Sequence, residues 1–119
     1  INLSLETDLP PDEFRSLLGE LDHPRITVNY DTGNSGSKGF DPVMELEAYG
    51  DKISDLHIKD RTLGGGPVEL GKGDFDFQLF FQEFKQIDFR GPIILQAYRD
   101  EEGVEIFRRQ LFWFKQLIN

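Results

Sequence analysis

The chain has 119 residues, 13 Lys+Arg against 22 Asp+Glu, and a formal net charge of −9, which argues against a surface built for nucleic acid or anionic lipid. Without cysteine it has no disulfide scaffold, thiolate metal site or cysteine nucleophile. No apolar run reaches the roughly 20 residues that span a bilayer, and no signal-peptide pattern is visible, so a soluble, cytoplasmic α/β domain over residues 1–119 is expected, without a membrane partner. Its 11 Phe imply a substantial core or interface.

Four segments repeat a short apolar strand, a polar turn and a helical pattern. The first strand is Leu3-Ser4-Leu5, ending in Glu6-Thr7-Asp8. Pro10-Pro11-Asp12 then opens a helix in which Phe14, Leu17, Leu18 and Leu21 fall at helical spacing. The second strand, Ile26 to Tyr30, ends in Asp31, and the Gly- and Ser-rich stretch from Gly33 to Gly39 reads as a loop. Asp41-Pro42 reads as an N-cap with proline at the first helical position, opening a helix through Met44, Leu46 and Tyr49 that stops at Gly50.

The third strand runs from Ile53 to Ile58, followed by Lys59-Asp60-Arg61 and a long Gly-rich loop to Gly71-Lys72-Gly73. The spacing predicts a helix over 75–87, capped by Asp74 or Asp76, with Phe77, Phe80, Phe81 and Phe84 on one apolar face. Gly91-Pro92 turns the chain into a fourth strand, Ile93 to Tyr98. The last helix carries Ile106, Phe107, Leu111, Phe114, Leu117 and Ile118 on one stripe with Trp113 beside it. These aromatic stripes read as core. Strand–helix alternation implies a parallel sheet, because parallel neighbours need a crossover and a helix supplies it.

Glu6 follows strand one, Asp31 follows strand two, His57 ends strand three and Gln96 sits late in strand four. In an α/β barrel, polar side chains near the C-terminal ends of successive parallel strands converge on the face where sites are built. Taken singly, such an acid is more often an N-cap or a solvated loop charge. Four coordinating-capable residues at one structural level carry more weight. Two carboxylates, an imidazole and an amide form a mixed O/N set suited to a divalent metal, Mn, Mg, Co or Zn.

Asn34 places an amide three residues after Asp31, and strand alternation sends Lys59 to the face of His57. Lys59, Arg61 and Arg99 are candidates to hold a substrate phosphate or carboxylate, with ordinary surface salt bridges as the plain alternative for each. Gly64-Gly65-Gly66 and Gly71-Lys72-Gly73 fit neither nucleotide-binding glycine motif. His23, at the opposite end of its strand from Asp31, is assigned no chemistry.

Taken together, Asn29-Tyr30-Asp31-Thr32-Gly33-Asn34, His57-Ile58-Lys59-Asp60-Arg61 and Leu70-Gly71-Lys72-Gly73-Asp74-Phe75-Asp76-Phe77 resemble the xylose isomerase-like TIM-barrel superfamily. Within it the similarity is to the sugar-phosphate isomerase/epimerase group, over nearly the whole chain and in the correct order. The resemblance implies metal ligands Glu, Asp, His and Glu at the ends of the last four of eight strands. These positions fall on Glu6, Asp31, His57 and Gln96 here. The chain is thus expected to form four βα units, the C-terminal half of a (β/α)8 barrel, since a whole barrel takes about 250 residues.

The implied activity is divalent-metal-dependent isomerisation or epimerisation of a small sugar or sugar phosphate, in carbohydrate metabolism. In such relatives two metal-bound carboxylates flank the carbon whose proton moves, and the metal stabilises the enediolate. Glu6 is the catalytic base by this resemblance, and Asn34, Lys59, Arg61 and Arg99 would bind substrate. Gln96 departs from the pattern, because an amide can ligate a metal but has no useful proton affinity near neutral pH. One-base aldose–ketose isomerisation, another chemistry, or metal binding without turnover therefore stay open.

Four units cannot close a barrel, and both edge strands and much inward apolar surface are expected to be exposed. A homodimer pairing edge to edge as a four-plus-four barrel is expected, because a Phe-rich surface needs burial. A separate N-terminal half or an oligomerised open sheet are the alternatives. All four expected ligands lie in this chain, so metal binding should outlast an impaired turnover. The rival reading is a non-catalytic half-barrel module that oligomerises through its edge strands and at most binds metal. Metal-dependent DNA cleavage, known among barrel relatives, fits poorly with the acidic balance and scarce histidine.

Overall fold

The computed structural model describes all of residues 1–119. In chain order the elements are β1 (Leu3–Leu5), α1 (Pro11–Leu21), β2 (Ile26–Asp31), α2 (Thr32–Lys38), α3 (Pro42–Tyr49), β3 (Ile53–Ile58), β4 (Asp60–Arg61), β5 (Pro67–Val68), α4 (Phe77–Phe84), β6 (Ile93–Leu95) and α5 (Val104–Ile118). The strands β1, β2, β3 and β6 lie side by side in that order, all parallel, as strand–helix alternation requires. These are four of the roughly eight strands that close a barrel of this kind. No helix is long and apolar enough to cross a membrane.

Local chemistry sets the helix starts. Pro11 opens α1, and the Asp41 carboxylate accepts from the Val43 amide at 2.9 Å at the start of α3. Asp76 caps α4 by accepting from Leu79 N at 2.9 Å, whereas Asp74 accepts from Leu63 N at 2.6 Å and holds the preceding loop. The helix expected over 75–87 is correspondingly shorter, Phe77 to Phe84.

Two stretches expected as loops are structured. Residues 32–38 form α2, capped by the Asp31 carboxylate, which accepts from Asn34 N at 3.0 Å, and closed by Gly39 at φ 72°. Small side chains let α2 pack close: a Cβ on Gly36 would lie 3.0 Å from Phe75 Cβ. The Gly-rich stretch after β3 contains the antiparallel pair β4–β5. The fourth strand stops at Leu95 rather than Tyr98, because the Tyr98 backbone is taken by Gln110. Its N–H donates to Gln110 Oε1 at 3.1 Å, and its carbonyl accepts from Gln110 Nε2 at 2.8 Å.

The core lies between the sheet and the helices. Val28, Tyr30, Leu56 and Ile58 meet Phe14, Leu18, Phe75, Phe77, Phe80, Phe81, Phe84 and Phe114. Phe80, fully buried, stacks on Tyr30 at 4.9 Å and on Phe84 at 5.0 Å. Of the 11 Phe only Phe107 and Phe112 are exposed, so most of the phenylalanine surface is covered within one chain.

The other face of the sheet, where much exposed apolar surface was expected, is mostly polar. The register sets Ser4 beside Thr27, Asn29 beside Asp55, and Asp31 beside His57, with Ile94 as the apolar residue at the His57 level. These groups bond to one another. Ser4 Oγ donates to Asp55 Oδ1 at 2.8 Å, and Ser54 Oγ lies 2.8 Å from Thr27 Oγ1 and 2.9 Å from Asp55 Oδ1. Ser54 can join them because the register shifts between Val28 and Asn29.

Candidate metal centre

Three expected ligands come from three adjacent strands. Glu6 lies one residue past β1, Asp31 ends β2, and His57 stands opposite Asp31 on β3. Each brings a donor atom to within 4.8 Å of the others. Asp31 is buried and Glu6 exposed, so the cluster opens outward on the Glu6 side. Burial first, then the hydrogen-bonding approach and negative charge of Asp31, hold the Glu6 carboxyl above its ordinary range; His57 and Lys59 pull it down.

The rim is built by α2 and the start of β4. Asn34 Nδ2 lies 3.4 Å from Glu6 Oε1, and Arg61 Nη1 lies 3.4 Å from Asn34 Oδ1 while its Nε donates to Gly65 O at 2.9 Å. Thr32 fixes the Lys59 backbone, accepting from Lys59 N at 2.9 Å. A Cβ on Gly33 would stand 2.9 Å from Lys59 Cγ and 3.0 Å from Asp31 Oδ1, so only glycine lets the Lys59 stem lie across this turn.

Gln96 stands at the end of the neighbouring strand β6, on the other side of His57 from Asp31. Ile94 is the residue opposite His57, which leaves Gln96 one residue pair higher on the same face, just past β6. It lines an open groove with Lys59, Tyr98, Arg99 and Phe107. The expected residues thus fall into two groups: Glu6, Asp31, His57, Asn34 and Arg61 in one, Gln96 and Arg99 in the other, with Lys59 touching both.

Four buried or half-buried polar residues escaped the sequence reading. Asp55 Oδ2 lies 3.6 Å from His57 Nε2, and strand alternation, which puts residues two apart on one face, could have found it. Asn29 Nδ2 lies 3.5 Å from His57 Nδ1, and its Oδ1 is buried without a partner. Glu45 is buried on α3, where Oε1 accepts from Tyr30 OH at 2.6 Å and from Ser35 Oγ, and Oε2 accepts from Tyr49 OH at 3.0 Å. Burial raises its carboxyl against those three hydrogen bonds. By joining α3 to Ser35, Glu45 holds the helix that carries Asn34.

Asp60, also buried, accepts from the amides of Arg61 at 3.0 Å and of Gly71 and Gly73 at 2.9 Å each. Burial still raises its carboxyl overall. The Gly71-Lys72-Gly73 turn therefore clamps an internal carboxylate, and its amides are not free for a phosphate.

Parallel strand–helix units with polar residues gathered past the strand ends define an α/β protein of the TIM-barrel class. The sequence pattern described as xylose isomerase-like TIM barrel matches residues 7–117, and the chain belongs to that family. It is 32% identical over 89 residues to an L-ribulose 3-epimerase of Methylomonas sp. (strain DH-1), covering 75% of this chain and 30% of that protein. It is 33% identical over 107 residues to an inosose dehydratase of Geobacillus kaustophilus (strain HTA426), covering 75% of this chain and 35% of that protein. A crystal structure of a xylose isomerase domain protein from Planctomyces limnophilus superposes with a TM-score of 0.83 at 21% identity, over 98% of this chain and 46% of that one. The chain thus spans about a third of the length of the curated relatives it matches.

Proposed function

We propose that this chain carries the site of a divalent-metal-dependent sugar or sugar-phosphate isomerase or epimerase, which moves a proton on the carbon beside a carbonyl. The convergence of Glu6, Asp31 and His57 within 4.8 Å, in a chain of this family, carries the reading. The epimerase and dehydratase names among its relatives support the substrate class.

The residues fit a cation. Two carboxylates and an imidazole suit Mn, Mg, Co or Zn, and the mutual repulsion of Glu6 and Asp31 is relieved by positive charge between them. A divalent cation held there would supply Lewis-acid polarisation of the neighbouring substrate oxygens. Glu6, on the open side and beside the Asn34 amide, takes the proton from the substrate carbon. Gln96 offers an amide oxygen at the mouth but cannot return a proton near neutral pH, which favours one-base chemistry over a symmetric two-carboxylate epimerase. Lys59 and Arg99 in the groove bind the substrate's far end, a phosphate or hydroxyl groups.

The free edges of β1 and β6 leave room for further strands, and a second copy of this chain is one way to supply them. Solution mass with metal content on the same peak decides the assembly and the cation together; a metal-free monomer opposes both parts. For the chemistry, ketoses and ketose phosphates are incubated with the chain and a divalent metal in D2O, and deuterium uptake beside the carbonyl is read by NMR. Glu6→Gln is expected to abolish uptake while leaving the metal bound. Full exchange by that variant removes Glu6 as the base.

A further inference from the structure

On the reading that His57 is a metal ligand, we propose that Asp55 is its positioning residue: it holds the imidazole as the Nε2–H tautomer and leaves Nδ1 as the nitrogen offered to the cation. The two residues lie two apart on β3 and share the polar face of the sheet. Asp55 Oδ2 stands 3.6 Å from His57 Nε2, and both side chains are largely withdrawn from water, 21% and 16% exposed.

The Asp55 carboxylate is itself oriented. Its Oδ1 is met by Ser4 Oγ at 2.8 Å from β1 and by Ser54 Oγ at 2.9 Å from β3, which turns Oδ2 toward the ring. On the other ring nitrogen, Asn29 Nδ2 lies 3.5 Å from Nδ1. A carboxylate only accepts and an amide nitrogen only donates, so both neighbours select one tautomer, with the proton on Nε2 and the lone pair on Nδ1. The Asn29 contact is long, and its Oδ1 is the buried side-chain atom left without a partner. The Nε2 contact to Asp55, at 3.6 Å, is no shorter, so a cation takes Nδ1 by displacing the neutral Asn29 amide rather than the Asp55 carboxylate. A carboxylate behind a ligating histidine fixes the ring and raises its basicity, and losing such a partner costs about 10–100-fold in metal affinity.

The test reads the metal-free chain first. The 15N shifts of the His57 ring, assigned by their loss in His57→Gln, are recorded at about pH 8.5, above the ordinary histidine titration range. The wild-type ring is expected as Nε2–H and the Asp55→Ala ring as a tautomer mixture. Co2+ titration is then expected to show about 10–100-fold weaker binding in Asp55→Ala. A clear weakening is also expected in the shape-conserving Asp55→Asn, which carries the test alone if the alanine variant does not fold. Asp51→Asn removes an exposed carboxylate before β3 and controls for net charge, with less than about a twofold effect expected for a screened surface charge. A wild-type Nδ1–H ring, or Asp55 variants with unchanged tautomer and affinity, overturns the proposal. A wild-type chain that binds no Co2+ overturns the metal reading instead, while the tautomer measurement still judges Asp55.

Discussion

One face of the sheet presents Val28, Tyr30, Leu56 and Ile58 to a layer of phenylalanines, whereas the other presents Ser4, Thr27, Asn29, Asp55 and His57 to one another. The first face excludes water and is held by area: each buried aromatic contributes about 1.5–3 kcal/mol. The second is held by hydrogen bonds worth about 0.5–1.5 kcal/mol each, because water competes for the same groups. The asymmetry teaches that the helix side supplies most of the folding energy. The polar side is left free to arrange charge, at the end of the strands where Glu6, Asp31 and His57 meet.

The largest break of this comparison is on the apolar side. Phe80→Ala, at the fully buried centre of the aromatic stack, is expected to lose about 3–5 kcal/mol in denaturant unfolding. A loss below about 1 kcal/mol would show that the core is not centred there. Asp60→Ala comes next, since it strips the acceptor from the Arg61, Gly71 and Gly73 amides. About 2–3 kcal/mol is expected, together with faster hydrogen exchange at those amides. Unchanged exchange at Gly71 and Gly73 would remove the clamp.

A pH series separates buried charge from exposed charge. Glu45 and Asp60 both hold their protons more tightly in the folded chain than in the unfolded one. Their contribution is therefore fully present below the ordinary carboxylate range and is lost as pH rises through their raised folded values. Glu45→Gln is expected to flatten that decline in thermal melts; a slope identical to wild type would contradict it. The smallest effect belongs to the polar face: Thr27→Val, distant from the strand-end cluster, is expected to change stability by less than about 1 kcal/mol. A cost near that of Phe80→Ala would erase the distinction between the faces.

What was legible in the sequence follows the same division. Strands β1 to β3 and the buried stripe of α4 carry strong local periodicity, and Glu6, Asp31 and His57 could be placed because each sits at a strand end. Residues 33–39 read as a loop because Gly and Ser are poor helix formers. The helix exists because Asp31 caps it and because its small residues fit against Phe75, a tertiary fact. The early end of β6 depends on Gln110, 12 residues beyond Tyr98, and no pattern local to the strand could announce it. Glu45 was hidden beside Met44 and Leu46 in a short helix without a clear apolar stripe, although its spacing of four from Tyr49 places both on one side. The stagger that sets Glu6 one residue pair below Asp31 and Gln96 one pair above His57 was not legible, because sequence alone does not give register.

Gln110 makes the last helix a tether for the mouth of the site. Its Oε1 accepts from Leu70 N and Tyr98 N at 3.0 and 3.1 Å, and its Nε2 donates to Tyr98 O and Ile106 O at 2.8 and 3.1 Å. One side chain thus sews two loops to α5, and Arg99 follows directly on the stitched residue. Any rotation of α5 is therefore transmitted along this seam to the Tyr98 backbone and the wall of the groove it lines.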